Sequence, residues 1–122
     1  MYDTGALVAA ERGNERMWAM HRRAMARSVR PLVPVMVLAQ AWRGGPQHNL
    51  SRLLRGCQVL PDTEGLGRLA GKLCGLAGTS DVVDALVVAT ALELDALVVT
   101  SDPQDLNHLS ASMNAKLAVH TV

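Results

Sequence analysis

The sequence predicts an α/β domain in which helices flank a mainly parallel central sheet. Short apolar runs alternate with longer segments of helical periodicity, an order that is typical of parallel strands joined by crossover helices. Leu97 to Val99 is continuously apolar, as expected for a strand buried on both faces. Small residues between 81 and 94, such as Ala85 and Ala89, allow a helix to pack closely against such a sheet. A length of 122 residues suits one domain, which we expect to span residues 1–122.

The N-terminal half begins with only two residues that can form a strand before Asp3. Because a central strand normally has about five or six residues, we expect this first strand to be truncated and the natural chain to begin upstream. Methionines on one side and arginines on the other predict a helix over 14–27. A short strand follows at 30–34, and Pro34 opens a helix over 35–43, where its missing N–H is tolerated. Gly44-Gly45-Pro46 separates that helix from another over 47–55.

The C-terminal half alternates regularly between strands and helices. A strand over 56–61 precedes a helix that Asp62 or Thr63 caps and that Gly78 ends. A helix that begins at Asp81 and ends near Leu94 leads into the strand 97–99. A short helix over 103–109 and a final strand over 117–119 complete the predicted domain.

Composition narrows the functional classes. No apolar run reaches the ~18 residues of a membrane span, and no basic segment followed by an apolar one marks a signal peptide. The two cysteines are far apart in sequence, which favours free, buried thiols in a cytoplasmic protein. The four histidines have no metal-ligand spacing, and we expect most of them at the surface. We therefore predict a cytoplasmic protein with no membrane partner.

The charges are distributed unevenly. Residues 1–60 carry nine arginines and three acids, whereas residues 61–122 carry three basic and eight acidic residues. A basic half suggests a polyanionic partner and an acidic half suggests cations, unless folding intermixes the two halves. The arginines of the helix 14–27 likewise form either a phosphate-facing surface or an ordinary solvated face.

Acidic residues head the apolar segment that follows Gly78. Asp81 and Asp84 are three residues apart, so both side chains lie on one face of the predicted helix. In one interpretation they form half of a metal site. In the other, Asp81 is the N-cap and Asp84 completes a variant of the capping box, at a helix end whose dipole favours acids.

Two further acids stand where α/β sheets bind ligands. Asp3 and Asp102 each follow a predicted strand, and ligands of open sheets bind beyond the carboxyl ends of the strands. Asp3, Asp81, Asp84 and Asp102 can therefore converge on one cleft. Clustered carboxylates repel one another, and Mg²⁺ or Mn²⁺ relieves this repulsion. Such an ion lowers the pKa of bound water and stabilises a phosphoryl group under attack.

Three stretches of the chain resemble the signature motifs of PIN domains. They are Asp3 to Leu7 (DTGAL), Asp84 to Ala91 (DALVVATA) and Leu97 to Leu106 (LVVTSDPQDL). Their order and separation look most like the VapC-type ribonuclease toxins of bacterial toxin–antitoxin pairs. The resemblance implies a PIN-like three-layer domain that cuts RNA with Mg²⁺ or Mn²⁺. It also implies a homodimer that a VapB-type antitoxin neutralises.

The resemblance assigns roles by position. Asp3, Asp84 and Asp102 match the family's first, third and fourth acids and would hold the metal, with Asp81 as a further catalytic acid. The second family acid is usually a glutamate, but Gln40 stands at its position. An amide removes one negative charge and cannot act as a base at neutral pH. The hypothesis is that Asp81 restores this charge from one helical turn away.

Supporting roles fall to polar residues beside these acids. Thr4, Thr100 and Ser101 would position waters or a phosphate. Arg43 would either meet the scissile phosphate, which a guanidinium grips in two places, or form a surface salt bridge. Asp105 is expected to cap the short helix or to face solvent. An antitoxin would cover an apolar channel between the first helices, and four apolar residues either line that channel or belong to the core: Met17, Trp18, Met36 and Trp42.

Alternative functions stay open at this level. With Gln40 in place, the domain can bind RNA or an antitoxin and yet cut poorly. A phosphoryl-transfer domain of receiver type also clusters acids in an α/β fold, with Asp62 and Lys116 as its only candidate residues. The glycines 65, 67 and 71 have the wrong spacing for a dinucleotide loop and lie inside a predicted helix. The shortage of aromatic residues favours recognition of RNA through its backbone and shape rather than by base stacking.

Overall fold

The computed structural model describes all 122 residues and confirms the predicted α/β class with parallel strands. The chain forms seven helices and four short strands. The helices are α1 (Thr4–Glu11), α2 (Glu15–Ala26), α3 (Val35–Ala41), α4 (His48–Leu54), α5 (Glu64–Ala77), α6 (Val82–Leu94) and α7 (Pro103–Ala111). The strands are β1 (Leu32–Pro34), β2 (Gln58–Leu60), β3 (Val98–Thr100) and β4 (Val119–Thr121).

The first three residues join two pairs of parallel strands. β1 pairs with β2, and β3 pairs with β4. Between the pairs, the Tyr2 N–H donates to the Leu32 carbonyl at 2.9 Å, and the Asp3 N–H donates to the Val99 carbonyl at 3.2 Å. Tyr2 also forms a parallel bridge with Val99. The order across the sheet is therefore β2, β1, residues 1–3, β3 and β4. Asp3 ends the central segment of this sheet.

The core is one cluster of 26 buried hydrophobic residues, mostly Leu, Val and Ala. α6 lies at its centre, since every residue from Ala85 to Ala91 is buried. This explains why the segment is apolar all round rather than amphipathic. α6 packs against α5 and α7, and this packing positions the acidic end of α6 beside the start of α7.

The local signals predicted most element boundaries correctly. The Thr63 side chain caps α5 by accepting a hydrogen bond from the Leu66 N–H at 3.2 Å, and Gly78 ends that helix in the left-handed conformation (φ 70°). Two differences stand out. α1 was not predicted, and the final strand is Val119–Thr121 rather than 117–119. Pairing with β3 sets this later start, since the Val98 N–H donates to the Ala118 carbonyl and Leu117 packs into the core.

The expectations from composition can also be compared with the structure. Cys57 and Cys74 are free and buried, as predicted. His21 is the only buried histidine. No single helix is long and apolar enough to cross a membrane, although α5 and α6 pass that test as a pair bent by 116°.

Candidate active site

Asp3 follows the bridge residue Tyr2, and Asp102 follows the neighbouring strand β3, so both lie at the same edge of the sheet, as their sequence positions predict. Asp3 is 6% exposed and caps α1, where its Oδ1 accepts a hydrogen bond from the Ala6 N–H at 2.8 Å. Asp102 caps α7 and accepts a hydrogen bond from the Gln104 N–H at 3.2 Å. The charge of Asp102 contributes to raising the pKa of Asp3, so the two carboxyl groups are close enough to interact.

Asp81 and Asp84 together begin α6. The Asp81 side chain is the N-cap and accepts a hydrogen bond from the Asp84 N–H at 3.4 Å. The prediction that Asp81 is the N-cap is therefore correct, whereas the capping box is not formed, because the Asp81 N–H donates to Thr79 Oγ1 at 3.2 Å and not to the Asp84 side chain. The N-cap does not exclude the acidic-site interpretation, because the half-buried Asp84 side chain also feels the charges of Asp3 and Asp105. One pair of residues both starts the helix and contributes to the acidic cluster.

The electrostatics of the cluster are those of crowded carboxylates. Burial is the largest of several causes that together raise the pKa of Asp84 to about 7; the others are the charge and hydrogen bond of Asp81 and the charges of Asp3 and Asp105. Burial also raises the pKa of Asp3, although hydrogen bonds from Thr100 and from the start of α1 oppose this. The only salt bridge in the structure joins Arg68 to Glu64. No lysine or arginine therefore neutralises the acidic cluster by direct pairing.

The donor set fits a hard divalent cation in kind. It consists of carboxylate oxygens, which Mg²⁺ and Mn²⁺ prefer as ligands. A bound cation would relieve the repulsion between these carboxylates. No group of three Asp, Glu, His or Cys side chains converges closely enough to form a complete metal centre by itself. Mg²⁺ does not require one, because it commonly binds through one or two carboxylates and keeps several waters.

Gln40 and Thr4 meet at the edge of this cluster. The Thr4 hydroxyl, next to Asp3, donates to Gln40 Oε1 at 2.5 Å. Gln40 comes from α3 and is exposed. The amide therefore lies beside the acids, at the position where the sequence comparison expected a glutamate, and its carbonyl oxygen is engaged by a hydroxyl.

Thr100 and Ser101 form the turn between β3 and Asp102. The buried Thr100 hydroxyl accepts a hydrogen bond from the Asp102 N–H at 3.1 Å. Ser101 packs against α1 at Gly5, where an added Cβ would overlap Ser101 Oγ and lie 3.4 Å from Asp3 Oδ1. Any side chain here would force the Ser101 hydroxyl to move, and its Cβ would lie only 3.2 Å from the Ser101 backbone nitrogen, because α1 lies close to the β3–α7 turn.

Arg43 lies at the end of α3, and its guanidinium is engaged by the backbone. Its Nη1 donates to the carbonyls of Trp42 at 2.7 Å and Ala39 at 3.2 Å. The salt bridge considered from the sequence is wrong, since the only salt bridge lies elsewhere. A contact between Arg43 and a phosphate stays a prediction.

Asp105 is exposed, which confirms one of the two expectations for it, but it also borders the acidic cluster, a position that the sequence analysis did not assign to it. A cavity of about 90 Å³ is lined by Asp81, Asp84 and Asp105, with His108 on its wall. Asp102, not Asp105, caps α7. The available signal was the repeated Asp-x-x-Asp spacing at 81–84 and 102–105. It places two acids on the first turn of each of two helices that pack together.

The fold and the site define an α/β domain with an acidic cluster at the carboxyl edge of a parallel sheet. A family model for the PIN domain matches residues 1–111. The chain therefore belongs to the PIN domain family, whose members share a nuclease-like fold and are generally metal-dependent nucleases. A comparison with curated proteins finds no significant match.

Proposed function

We propose that this PIN domain is a metal-dependent ribonuclease of the VapC toxin type that hydrolyses RNA phosphodiesters. The observation that carries the proposal is the unneutralised cluster of carboxylates at the carboxyl edge of the sheet. Burial and the charges of neighbouring acids raise the pKa of Asp84 to about 7. A cluster of this kind is costly to fold, and a bound divalent cation offsets the cost.

Asp3, Asp84 and Asp102 would hold Mg²⁺ or Mn²⁺, directly or through water. When bound, the ion supplies a Lewis acid and lowers the pKa of a bound water. Asp81, hydrogen-bonded to the start of α6, orients a water toward the phosphate. Thr4, Thr100 and Ser101 supply hydroxyl groups to the same edge and fix waters or a phosphate oxygen. Arg43 would reach the phosphate only after releasing the α3 carbonyls.

A second candidate is a catalytically weakened PIN domain that binds RNA or an antitoxin without efficient cleavage. The specific observation in its favour is Gln40, whose amide lies beside Asp3 and Thr4 and removes one negative charge from the site. A weaker metal site binds less cation at a given concentration. This candidate differs from the first in cleavage, not in fold or in RNA binding.

The deciding experiment is cleavage of total cellular RNA by the purified chain with Mn²⁺ or Mg²⁺. We expect discrete products that disappear with EDTA and in Asp84→Asn. The matched control is Glu93→Gln, which removes one acid from the exposed far end of the same helix and should leave cleavage unchanged. No cleavage by the folded wild-type chain at any metal concentration would favour the binding module. Equal loss in both variants would contradict the assignment of Asp84.

The proposed function carries partners with it. We propose a cytoplasmic homodimer that a VapB-type antitoxin neutralises. Of the residues considered for the antitoxin channel, Met36 and Trp42 are more than a third exposed, whereas Met17 is a core residue. Their exposure leaves Met36 and Trp42 accessible to an antitoxin. Co-expression with a cognate antitoxin, followed by native mass spectrometry, tests both the dimer and the complex.

A further inference from the structure

A polar groove lies between α2 and α4, away from the acidic cluster. Its cavity has a volume of about 610 Å³. α2 contributes Glu15, Trp18 and Arg22, which share one helix face, and α4 contributes Asn49 and Arg52. We call it the Arg22–Arg52 groove. The sequence alone left open whether the arginines of the helix 14–27 face a phosphate or only solvent. The catalysis proposed above does not use this groove.

Aromatic packing orients Arg52 within this groove. Its guanidinium carbon lies 4.2 Å from the centre of the Trp18 ring. The ring is itself fixed, because Trp18 Nε1 donates to the Ala10 carbonyl at 2.9 Å and the ring meets His21 edge-on. Stacking uses the face of a guanidinium and leaves its N–H donors available. Neither Arg22 nor Arg52 forms a salt bridge.

A second cavity lies along α1, with one end beside Asp3 and the other beside the groove. It has a volume of about 360 Å³ and follows α1 from Gly5 and Ser101 to Arg12 and Asn14. Gly5 and Ser101 adjoin Asp3, whereas Arg12 and Asn14 flank Gly13, which lines the groove. With a rise of 1.5 Å per residue, α1 separates the two ends by roughly 12 Å. One extended strand can therefore occupy both cavities.

We propose that the Arg22–Arg52 groove binds a backbone phosphate of an RNA strand that runs along α1 into the acidic site. This assignment rests on the proposed ribonuclease function and adds a contact site to it. Paired guanidinium groups suit phosphate because each offers a planar fork of donors. Arg52 covers a face of the Trp18 ring, so the groove contacts the backbone rather than stacking a base, and its contacts carry no sequence information directly.

The test measures RNA binding without cleavage. The full chain carrying Asp84→Asn is titrated with a fluorescent single-stranded RNA octamer in EDTA, and anisotropy gives Kd at several salt concentrations. We expect Arg22→Gln and Arg52→Gln each to raise Kd about 3- to 10-fold and to reduce the salt slope by about 0.7, the value for one lost contact to a single strand. Arg16→Gln, an exposed arginine on α2 outside the groove, should change Kd less than twofold.

Each outcome has a defined meaning. Equal weakening by Arg16→Gln and Arg52→Gln would overturn the groove, because any lost charge would then have the same effect. Binding of poly-glutamate as tightly as RNA, with the same loss in the variants, would overturn the RNA assignment in favour of an acidic peptide. If both groove variants bind RNA normally and the wild-type chain cleaves it, the proposal for the groove is wrong and the proposed ribonuclease function stands. Absence of both binding and cleavage in the wild-type chain would overturn both proposals.

Discussion

The Asp84 carboxyl group is the most perturbed acid of the cluster. Burial and three neighbouring acids raise its pKa to about 7, so near neutral pH a proton and a divalent cation compete for it. Metal ligands must be deprotonated to bind. The affinity of the site for Mg²⁺ or Mn²⁺ should therefore increase as the pH rises through neutrality. Asp3, whose pKa is also raised, acts in the same direction.

A double-mutant cycle at residues 40 and 81 tests the hypothesis that Asp81 compensates for the charge that Gln40 lacks. Gln40→Glu restores a negative charge beside Asp3, so we expect tighter Mn²⁺ binding and faster cleavage. Asp81→Asn keeps the helix cap, because Asn and Asp cap equally well, but removes the charge and should weaken both. If Asp81 compensates for Gln40, then Asp81→Asn should have less effect in the Gln40→Glu background. Calorimetric titration with Mn²⁺ and initial cleavage rates give the four values.

The cycle also separates the cap from the charge. Asp81→Ala removes both, so its excess loss of thermal stability over Asp81→Asn measures capping alone, about 1 kcal/mol in other helices. An Asp81→Asn variant with unchanged metal affinity and cleavage would contradict the compensation hypothesis. So would additive effects of the two substitutions.

At the scale of the element, helix starts were predictable because their signals are local. Thr63, Asp81 and the proline that opens α3 each mark a first turn in the sequence alone. α1 has an N-cap of the same kind in Asp3, but its eight residues are apolar on most sides and show no helical period, so the cap alone did not identify a helix. The start of β4 depends on its pairing with β3, and no local pattern reports a pairing register.

The same distinction holds for the candidate site. Asp3 and Asp102 could be found because each follows a recognisable strand. Asp105 could not be found in this way, because its place depends on how α7 packs against α6. The engagement of Arg43 with backbone carbonyls also depends on side-chain geometry that composition and spacing do not encode.

Gly5 offers a test of how α1 is held against the site. Gly5→Ala places a methyl group into Ser101, so we expect a loss of about 1–3 kcal/mol, typical of overpacking, and reduced cleavage because Asp3 shifts. Gly71→Ala is the control, since Gly71 lies in open space within α5 and alanine should stabilise that helix by about 0.5–1 kcal/mol. Thermal unfolding and cleavage rates measure both effects. Unchanged stability in Gly5→Ala would show that α1 can move away from the β3–α7 turn at little cost.

At the scale of the whole molecule, folding does not intermix the two charge classes completely. Four acids of the C-terminal half, Asp81, Asp84, Asp102 and Asp105, lie at or beside one cluster. Arginines of the N-terminal half, Arg12 among them, line cavities that lead away from it. The uneven charge of the sequence thus becomes an acidic end and a basic groove joined along α1. This arrangement suits a polyanion that must be held by cations and cut near carboxylates.

The last prediction concerns the pH dependence of global stability, to which two groups contribute with opposite sign. The pKa of Asp84 rises from 3.8 to about 7 on folding, so the folded state holds the proton more tightly and stability falls as the pH rises through this window. Burial, with a smaller effect from Arg52, lowers the pKa of His21 below 6.5. The folded state therefore holds this proton less tightly, and stability falls as the pH drops below 6.5.

Single substitutions should reveal each contribution. In EDTA, Asp84→Asn should raise the melting temperature near neutral pH by about 4 °C, roughly 1 kcal/mol for a domain of this size, since water screens part of the repulsion at this half-buried group. The gain should shrink toward acidic pH, where the wild-type carboxyl is protonated. His21→Gln loses a ring whose Nδ1 lies 3.0 Å from the Tyr2 hydroxyl, and its stability should fall steadily as the pH rises. Urea unfolding at several pH values between roughly 5 and 8 measures these slopes, and profiles parallel to the wild type in both variants would contradict both assignments.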